Sequence, residues 1–553
     1  MPPVGNFLIA VGKAFLGNFM TATAVAGMTA TTLAVTGAIV LGTGIILMSS
    51  MTPKMPDLNA MLNRGTNVRS PISSRKLIYG KAKVGGTYVF ISEGNINNDR
   101  KYLYLITALA SHESHSIESV YILDEVVTIN ASNVVTAPSR YYPQSETRAQ
   151  IYTDMLGTTT QTLASQFISN TDLTATDQFK GITCLQAILT YDPEVYVSGI
   201  PSITAIVKGK VDIYDPRTAT SGWSDNPALC VANYLMSEYG LGLSTNEIDW
   251  VSVTTASNVC DELVTLDDGS TQKRFIANGV IDTQNDIKTN IESLLTSMAG
   301  FMVVEGGKYK IFAGEYRTPT LTITEDDLIA GYQIQTKNRI TEQFNKVVGL
   351  YQSDETNFQP SNYPEITNAN YVTADGQVLE KQLNLTFTDN STRCQQIAKI
   401  YLEKSRQQYS MTIGINLEKF TLSPGDTVML TLPNLGFNQK VFEVLEWKFG
   451  GDTSLGIELT LRETNSSVYN WSTSEQQDPT PTPALTPTYN TVVATPSFSL
   501  TQTEDVGVDG TTIPMIEVNI TDPVDDKHVN LYLVNYKEST ESTYNEISVD
   551  REY

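Results

Sequence analysis

From residue 66 onward the chain is a succession of short runs in which apolar and polar residues alternate, rich in Val, Ile, Tyr and Thr and punctuated by Gly, Asn and Asp. A period of two puts successive side chains on opposite faces of a pleated backbone, so such runs commit the body of the protein to β-strands joined by turns. Residues 87–92, 101–108, 118–127, 203–214, 411–417, 441–449 and 455–461 each read as a strand. Residues 301–312 read as a hairpin. There Gly306-Gly307 lies between MVV and YKIF, and adjacent glycines supply the positive φ angles of a two-residue turn.

Three segments inside this β-rich body carry helical spacing instead. Asn226 is placed to cap a helix with Pro227 in its first turn; Val231, Tyr234 and Leu235 form its apolar face, and Gly240 ends it. A second helix is expected from Thr283 to Gly300, with Ile287, Ile291, Leu294, Leu295 and Met298 on one side. A third starts near Asn390 and aligns Cys394, Ile397, Ala398, Tyr401 and Leu402. Each of these stripes is the face a helix lays on a sheet.

The N-terminus differs in kind. From Ala14 to Pro53 there is no Asp, Glu, Lys or Arg, and 33–48 (LAVTGAIVLGTGIILM) is strongly apolar. The length suffices for a helix to cross a bilayer, which takes about 20 apolar residues. It fits a cleaved signal peptide poorly, because the apolar part starts far from Met1 and Lys13 is the one basic residue before it. Ala22, Ala26, Ala30, Ala34, Ala38 and Gly42 recur every four residues. On a helix they form a smooth stripe along which another backbone approaches closely, although an Ala-rich stretch also yields such ladders by chance. Residues 55–66 read as a tether, broken by Pro56, Asn63 and Gly65.

Charge narrows the function. Lys and Arg number 37 against 60 Asp and Glu, a net −23 over 553 residues. So acidic a chain is poorly suited to grip nucleic acid, since that affinity rests on basic surface releasing counterions. It suits a solvated exterior, or a wall past which nucleic acid slides.

Catalytic and metal constellations are hard to find. Cys184, Cys230, Cys260 and Cys394 show no paired spacing for zinc or an iron–sulfur cluster; four buried thiols are the expectation, with two disulfides the alternative in a chain whose core is large enough without them. His112-Glu113-Ser114-His115 spaces its histidines by three, whereas a zincin helix needs four, so a loop with two solvated histidines is expected. No nucleophile elbow, phosphate loop or dinucleotide fingerprint occurs. Asp267-Asp268-Gly269 reads as a turn and not a calcium loop, and Glu325, Asp326 and Asp327 as a chance acidic cluster among sixty acids. The sequence therefore predicts no catalytic residue, no cofactor site and no metal site.

After Trp471, STSEQQD leads into the Pro/Thr run PTPTPALTPT at 479–488, which favours an extended, semi-stiff spacer. Beyond it 497–500, 515–520 and 529–536 alternate like strands of a small sandwich. About 60 residues follow the spacer, short of the roughly 100 of such a sandwich, so the natural protein is expected to continue past Tyr553.

The middle of the chain resembles a known family. KGKVDIYDPRT, beginning at Lys208, is followed by SGWSDNPALCVANYLMSEYGLGLSTNEID at 221–249. Then come FIANGVID and ESLLTSMAGFMVVEGGKYKIFAGEYRTP within 275–319, ITEDDLI at 323–329, NKVVGLY at 345–351, the helix from Cys394 to Arg406, and LSPGDTVML at 422–430. Their order resembles the tail-tip attachment or host-specificity protein J family, the tail hub of long-tailed phages. The likeness covers about 200–471 well and 70–140 loosely.

That resemblance implies a mainly β, multi-domain tail hub of β-barrel-like modules with a few packed helices. To these it adds the helical apolar N-terminus and a partial fibronectin type III sandwich. The expected divisions are 1–65 (apolar segment and tether), 66–140 (first hub domain), 141–200 (inserted variable domain) and 201–320 (second hub domain). Residues 321–475 form the third hub region, 476–490 the linker and 491–553 the partial sandwich. It also implies a non-enzymatic homotrimer in the virion tail tip, closing the tail tube and opening for DNA ejection. Its partners would be the distal tail protein, other tail-tip proteins and the C-terminus of the tape-measure protein. Downstream domains would reach a host surface receptor, and the N-terminal segment a host membrane. Two other readings stand beside it: a tail-associated cell-wall hydrolase and a membrane-anchored surface adhesin.

Overall fold

Gly306 and Gly307, with φ of 56° and 78°, turn the strand Phe301–Glu305 back onto Lys308–Phe312, Phe301 lying opposite Phe312 and Glu305 opposite Lys308. Side chains other than glycine resist that backbone, which is why the turn falls here. The computed structural model describes Gly44–Met48, Gly65, residues 67–69 and residues 73–479, 497–521 and 531–550. Gaps within those spans fall at 97–98, 144–145, 194, 197–198, 330, 339–341, 450–455, 507, 509 and 541.

The hairpin opens the largest sheet among the described residues. Strand order runs 308–312, 301–305, 44–48, 437–449, 457–463, 410–415, 333–335, with 427–432 also paired to 437–449 and 321–324 beyond it. Gly44–Met48, the end of the uncharged stretch, is thus strand where a helix was expected, with Ile45 opposite both Val304 and Glu446. The remainder of that stretch, with the Ala22–Gly42 ladder, lies outside the described residues. The buried side of this sheet collects Ile323, Ile413, Val428, Leu430, Phe442, Val444, Leu459 and Leu461.

Two further sheets share a second core. One runs 87–96, 99–110, 183–190, 149–152; the other 81–84, 203–210, 114–122, 125–129, 135–137. Leu105, Leu185 and Ile151 of the first meet Val84, Val120 and Val207 of the second. The segment 141–200, read as an insertion, supplies two strands of the first sheet and the short helix Ser165–Asn170. Phe167 of that helix meets Tyr104 edge-on at 5.1 Å on the sheet's other face. The run 118–127, read as one strand, is two. Leu123 and Asp124 adopt φ of 52° and 62° and fold Ser114–Ile122 onto Glu125–Ile129. Likewise 203–214 divides into Ile203–Lys210 and Ile213–Asp215.

The helices form the third core, between these sheets and the largest one. Pro227–Met236 begins where Asn226 accepts a hydrogen bond from the Ala228 N–H at 3.2 Å. Ile287–Thr296 is shorter than the expected 283–300, and Ser391–Ser405 is capped by Asn390 accepting from Arg393 N–H at 3.1 Å. Trp250–Asp261 and Ala369–Asp375 are helices the periodicity did not announce. Leu229, Val253, Cys260, Leu294, Ile397 and Ala398 are all buried together there. The strand Lys76–Tyr79 pairs with Gly279–Asp282 and stitches the N-terminal sheets to this helical layer. Among the described residues, no helix is long and apolar enough to cross a membrane.

All of this belongs to one compact unit, Met1–Thr482; Pro483–Tyr553 is a second. In the second, Ser497–Val506 pairs with Thr512–Thr521 and Leu531–Tyr536 with Asn545–Asp550, two antiparallel hairpins.

Candidate functional site

The residues that drew attention as possible chemistry prove to be fasteners. His112 is buried, not solvated: its Nε2 accepts from the Ile78 N–H at 2.9 Å and its Nδ1 lies 2.8 Å from the Glu113 carbonyl, to which it donates in the neutral tautomer. Burial, joined by Lys210 and opposed by the Glu113 bond and Asp212, lowers its pKa to about 4. His115 is exposed on the strand Ser114–Ile122, so the two rings do not converge. Gly269, at φ 82°, makes a hairpin turn between Leu263–Thr265 and Thr271–Lys273. Asp327 accepts from Thr324 N–H at 2.9 Å and caps the turn Glu325–Asp327. The four cysteines are free and buried, with thiols pushed up chiefly by burial. Among the described residues no three His, Cys, Asp or Glu side chains are grouped to hold a metal.

What the structure does bring together is a buried ionic knot where the hairpin 301–312 meets the large sheet. Its centre is Glu443 on the strand Phe437–Phe449, only 3% exposed. One carboxylate oxygen accepts from Arg462 Nη2 at 3.0 Å, and the other pairs with Arg317 Nη2. The Arg317 guanidinium also lies 4.8 and 4.9 Å from the centres of the Phe301 and Phe312 rings. Those rings stack 5.0 Å apart, so the cation sits against aromatic faces that attract it. The chain around Arg317 is held in turn: Thr427 donates through Oγ1 to the Arg317 carbonyl at 2.7 Å. Burial pushes the Glu443 carboxyl up, but Arg317, Arg462 and Lys404 together hold it below its ordinary value. Lys404 is lowered to about 8 by burial and by Arg462 and Arg317, against the pull of Glu443. One carboxylate therefore pairs with two guanidinium groups and feels the field of a third cation. Nε and Nη1 of Arg317 and Nη1 of Arg462 remain buried without a hydrogen-bond partner. Unpaired buried donors are costly, which makes the knot sensitive to loss of its carboxylate.

Beside it lies a cavity of about 500 Å³. Leu263, Val264, Phe275, Ile400, Tyr469 and Trp471 give it apolar walls; Arg274, Gln396 and Asn470 supply polar groups. Tyr469 joins cavity and knot: burial, followed by Glu443, raises its hydroxyl pKa, while Arg317 and Arg462 lower it. None of these residues was singled out from sequence. Glu443 and Arg462 face each other across adjacent strands, but Arg317 comes from 126 residues before Glu443, and no local pattern announces its arrival.

A mainly β protein of several open sheets, held by a helical layer and an ionic joint, is the class defined by the fold. Comparison with known proteins makes the class specific: residues 286–447 match the family described as "Putative phage tail protein". The chain is 24% identical over 324 residues to the baseplate hub protein pb3 of Escherichia phage T5, covering 54% of this chain and 33% of that protein. It is 26% identical over 189 residues to the tip attachment protein J of Escherichia phage SECphi27, covering 30% of this chain and 16% of that protein. The matched parts thus span a third or less of those relatives' lengths. In fold it resembles a chain of the virion of a native gene transfer agent particle, with a TM-score of 0.51 at 13% identity. That match covers 82% of this chain and 98% of the other. The expected likeness to phage tail-tip proteins, and the mainly β architecture, both hold.

Proposed function

We propose that this chain is a structural hub of a phage tail tip, non-enzymatic in the residues described. The observation that carries the reading is the similarity to a baseplate hub protein over more than half of the chain. The helices Ile287–Thr296 and Ser391–Ser405, the hairpin 301–312, and Arg317, Lys404 and Glu443 of the ionic knot lie inside the matched family region, whereas Arg462 lies beyond it. On this reading three copies surround the tail axis and close the tube. They join the distal tail protein and other tail-tip proteins, hold the tape-measure C-terminus and part for DNA ejection. The acidic surplus keeps the duct free of sites that grip phosphates. The two C-terminal hairpins belong to a fibronectin type III-like module on the way to a host receptor, and the N-terminal segment to an axial bundle able to contact the host membrane.

Cryo-electron microscopy of the intact particle tests this. Three copies at the tip around an acidic lumen are expected; one copy, or a lumen lined mainly by Lys and Arg, would sink the proposal. Ala30→Leu with Ala34→Leu should disturb tip assembly or DNA retention if backbones meet along the ladder, and unchanged infectivity would remove the axial bundle.

A further inference from the structure

The cavity beside the ionic knot has a chemical bias that the hub role does not explain. Its polar lining is rich in donors: Arg274, Gln396, Asn470 and Trp471. Gln396, on the helix Ser391–Ser405, is 5% exposed, and its Nε2 has no hydrogen-bond partner. Trp471 likewise leaves its buried indole Nε1 unpartnered. An indole N–H donates and never accepts, so it calls for an oxygen in the occupant. Arg274 adds a guanidinium whose Nη2 lies 3.3 Å from Glu262, a loose pairing on a carboxylate that is half exposed. Glu315 shares that side with Arg274 and Arg317, and burial pushes its carboxyl up toward the neutral form. Behind Tyr469 stand Arg317, Arg462 and Lys404 with the single carboxylate of Glu443. Around these groups the walls are aromatic and aliphatic: Phe275, Tyr469, Trp471, Leu263, Val264 and Ile400.

Apolar walls with a few convergent donors define what fits. A purely apolar group would leave Gln396 and Trp471 unpaired, and a cation would meet the guanidinium groups. A carboxylate carried by a flat or branched apolar body satisfies both sets, and charge-assisted bonds to it are stronger than neutral ones. We propose that this cavity binds a carboxylate attached to an aromatic or aliphatic group. A peptide presents that chemistry either at a C-terminal apolar residue or where an apolar side chain neighbours an Asp or Glu. The inference stands on the cavity alone and does not depend on the hub reading.

The test uses the full chain labelled with ¹⁵N at its four tryptophans, each giving one indole N–H resonance. Trp471→Phe identifies the Trp471 signal by its disappearance. N-acetyl-L-phenylalanine is the probe, and N-acetyl-L-phenylalaninamide is the same molecule without the charge. The acid is expected to move the Trp471 resonance saturably and the amide to bind at least about tenfold more weakly, the factor that about 1.4 kcal/mol produces. Gln396→Glu keeps side-chain length while placing a second carboxylate against the probe. It should abolish the shift with the melting temperature retained, and Gln396→Met, which removes the donor at similar volume, should weaken it. Acetyl-Phe-Asp-amide separates the sources. Tighter binding than the free acid assigns an internal peptide segment, and weaker binding a chain terminus. No movement of Trp471, equal movement with acid and amide, or a shift that persists in Gln396→Glu would each overturn the proposal.

Discussion

Replacing His112 with glutamine removes an imidazole that the fold holds uncharged between the Ile78 N–H and the Glu113 carbonyl. The ordinary value for the ring is 6.5, and in the native protein it falls to about 4, chiefly through burial. Between those values the unfolded chain takes up a proton that the native ring refuses. Stability from this residue is therefore complete above about pH 6.5 and is lost progressively as pH falls to about 4, where the loss levels off. At about 1.4 kcal/mol per pH unit of separation, the full loss is on the order of 3 kcal/mol. Urea unfolding followed by tryptophan fluorescence reads it well, because Trp223, Trp250, Trp447 and Trp471 all lie in the Met1–Thr482 unit. His112→Gln keeps an acceptor for Ile78, so a folded variant is expected. Subtracting its stability from that of the wild type cancels every other titrating group. The difference should shrink by about 3 kcal/mol from neutral pH to pH 4. A wild-type minus His112→Gln difference that is flat with pH would refute the buried neutral ring.

Glu443→Gln removes the buried carboxylate that pairs with both Arg317 and Arg462, and should cost about 3–5 kcal/mol in urea midpoint analysis; a loss below about 1 kcal/mol would mean the knot is not closed as described. A Cβ added at Gly209 would sit 1.9 Å from the Ile78 carbonyl oxygen, so Gly209→Ala must push apart the strands Ile203–Lys210 and Lys76–Tyr79. About 1–3 kcal/mol of destabilisation should appear as a lower melting temperature. Asn226→Ala deletes both the cap on Ala228 and the bond from Nδ2 to the Ser257 carbonyl at 3.0 Å, and should lower stability by about 2 kcal/mol in the same assay.

Local signals carried over into structure where one residue type has one conformational meaning. Gly306-Gly307 marked its hairpin, and Asn226-Pro227 and Asn390 marked their helix starts. Leu123-Asp124 turns the chain with two positive φ angles but without glycine, so the run around it passed for one strand. Trp250–Asp261 was hidden for a different reason. Val251, Val253, Thr254, Thr255 and Val259 favour strands, and what makes a helix is Asp249 capping Val251 together with burial of Val253, Ala256 and Cys260 on one face. His112 looked like a loop residue because only tertiary packing brings Ile78 over it. The knot and cavity were invisible altogether. Each joins segments more than a hundred residues apart, Arg317 with Glu443 and Leu263 with Tyr469, and single-sequence periodicity contains no information about such meetings.

The placement of Gly44–Met48 between Phe301–Glu305 and Phe437–Phe449 has a mechanical consequence. A tug applied along this segment from the N-terminal side runs parallel to the strand, so its backbone bonds to both neighbours are loaded together instead of opening one by one as in peeling. Yielding then requires a concerted slip past Val303 and Trp447, and the lifetime under load is set by the barrier to that slip instead of by equilibrium stability. Gly44–Met48 is accordingly held in shear, with the hairpin on one side and the long strand on the other sharing the tension.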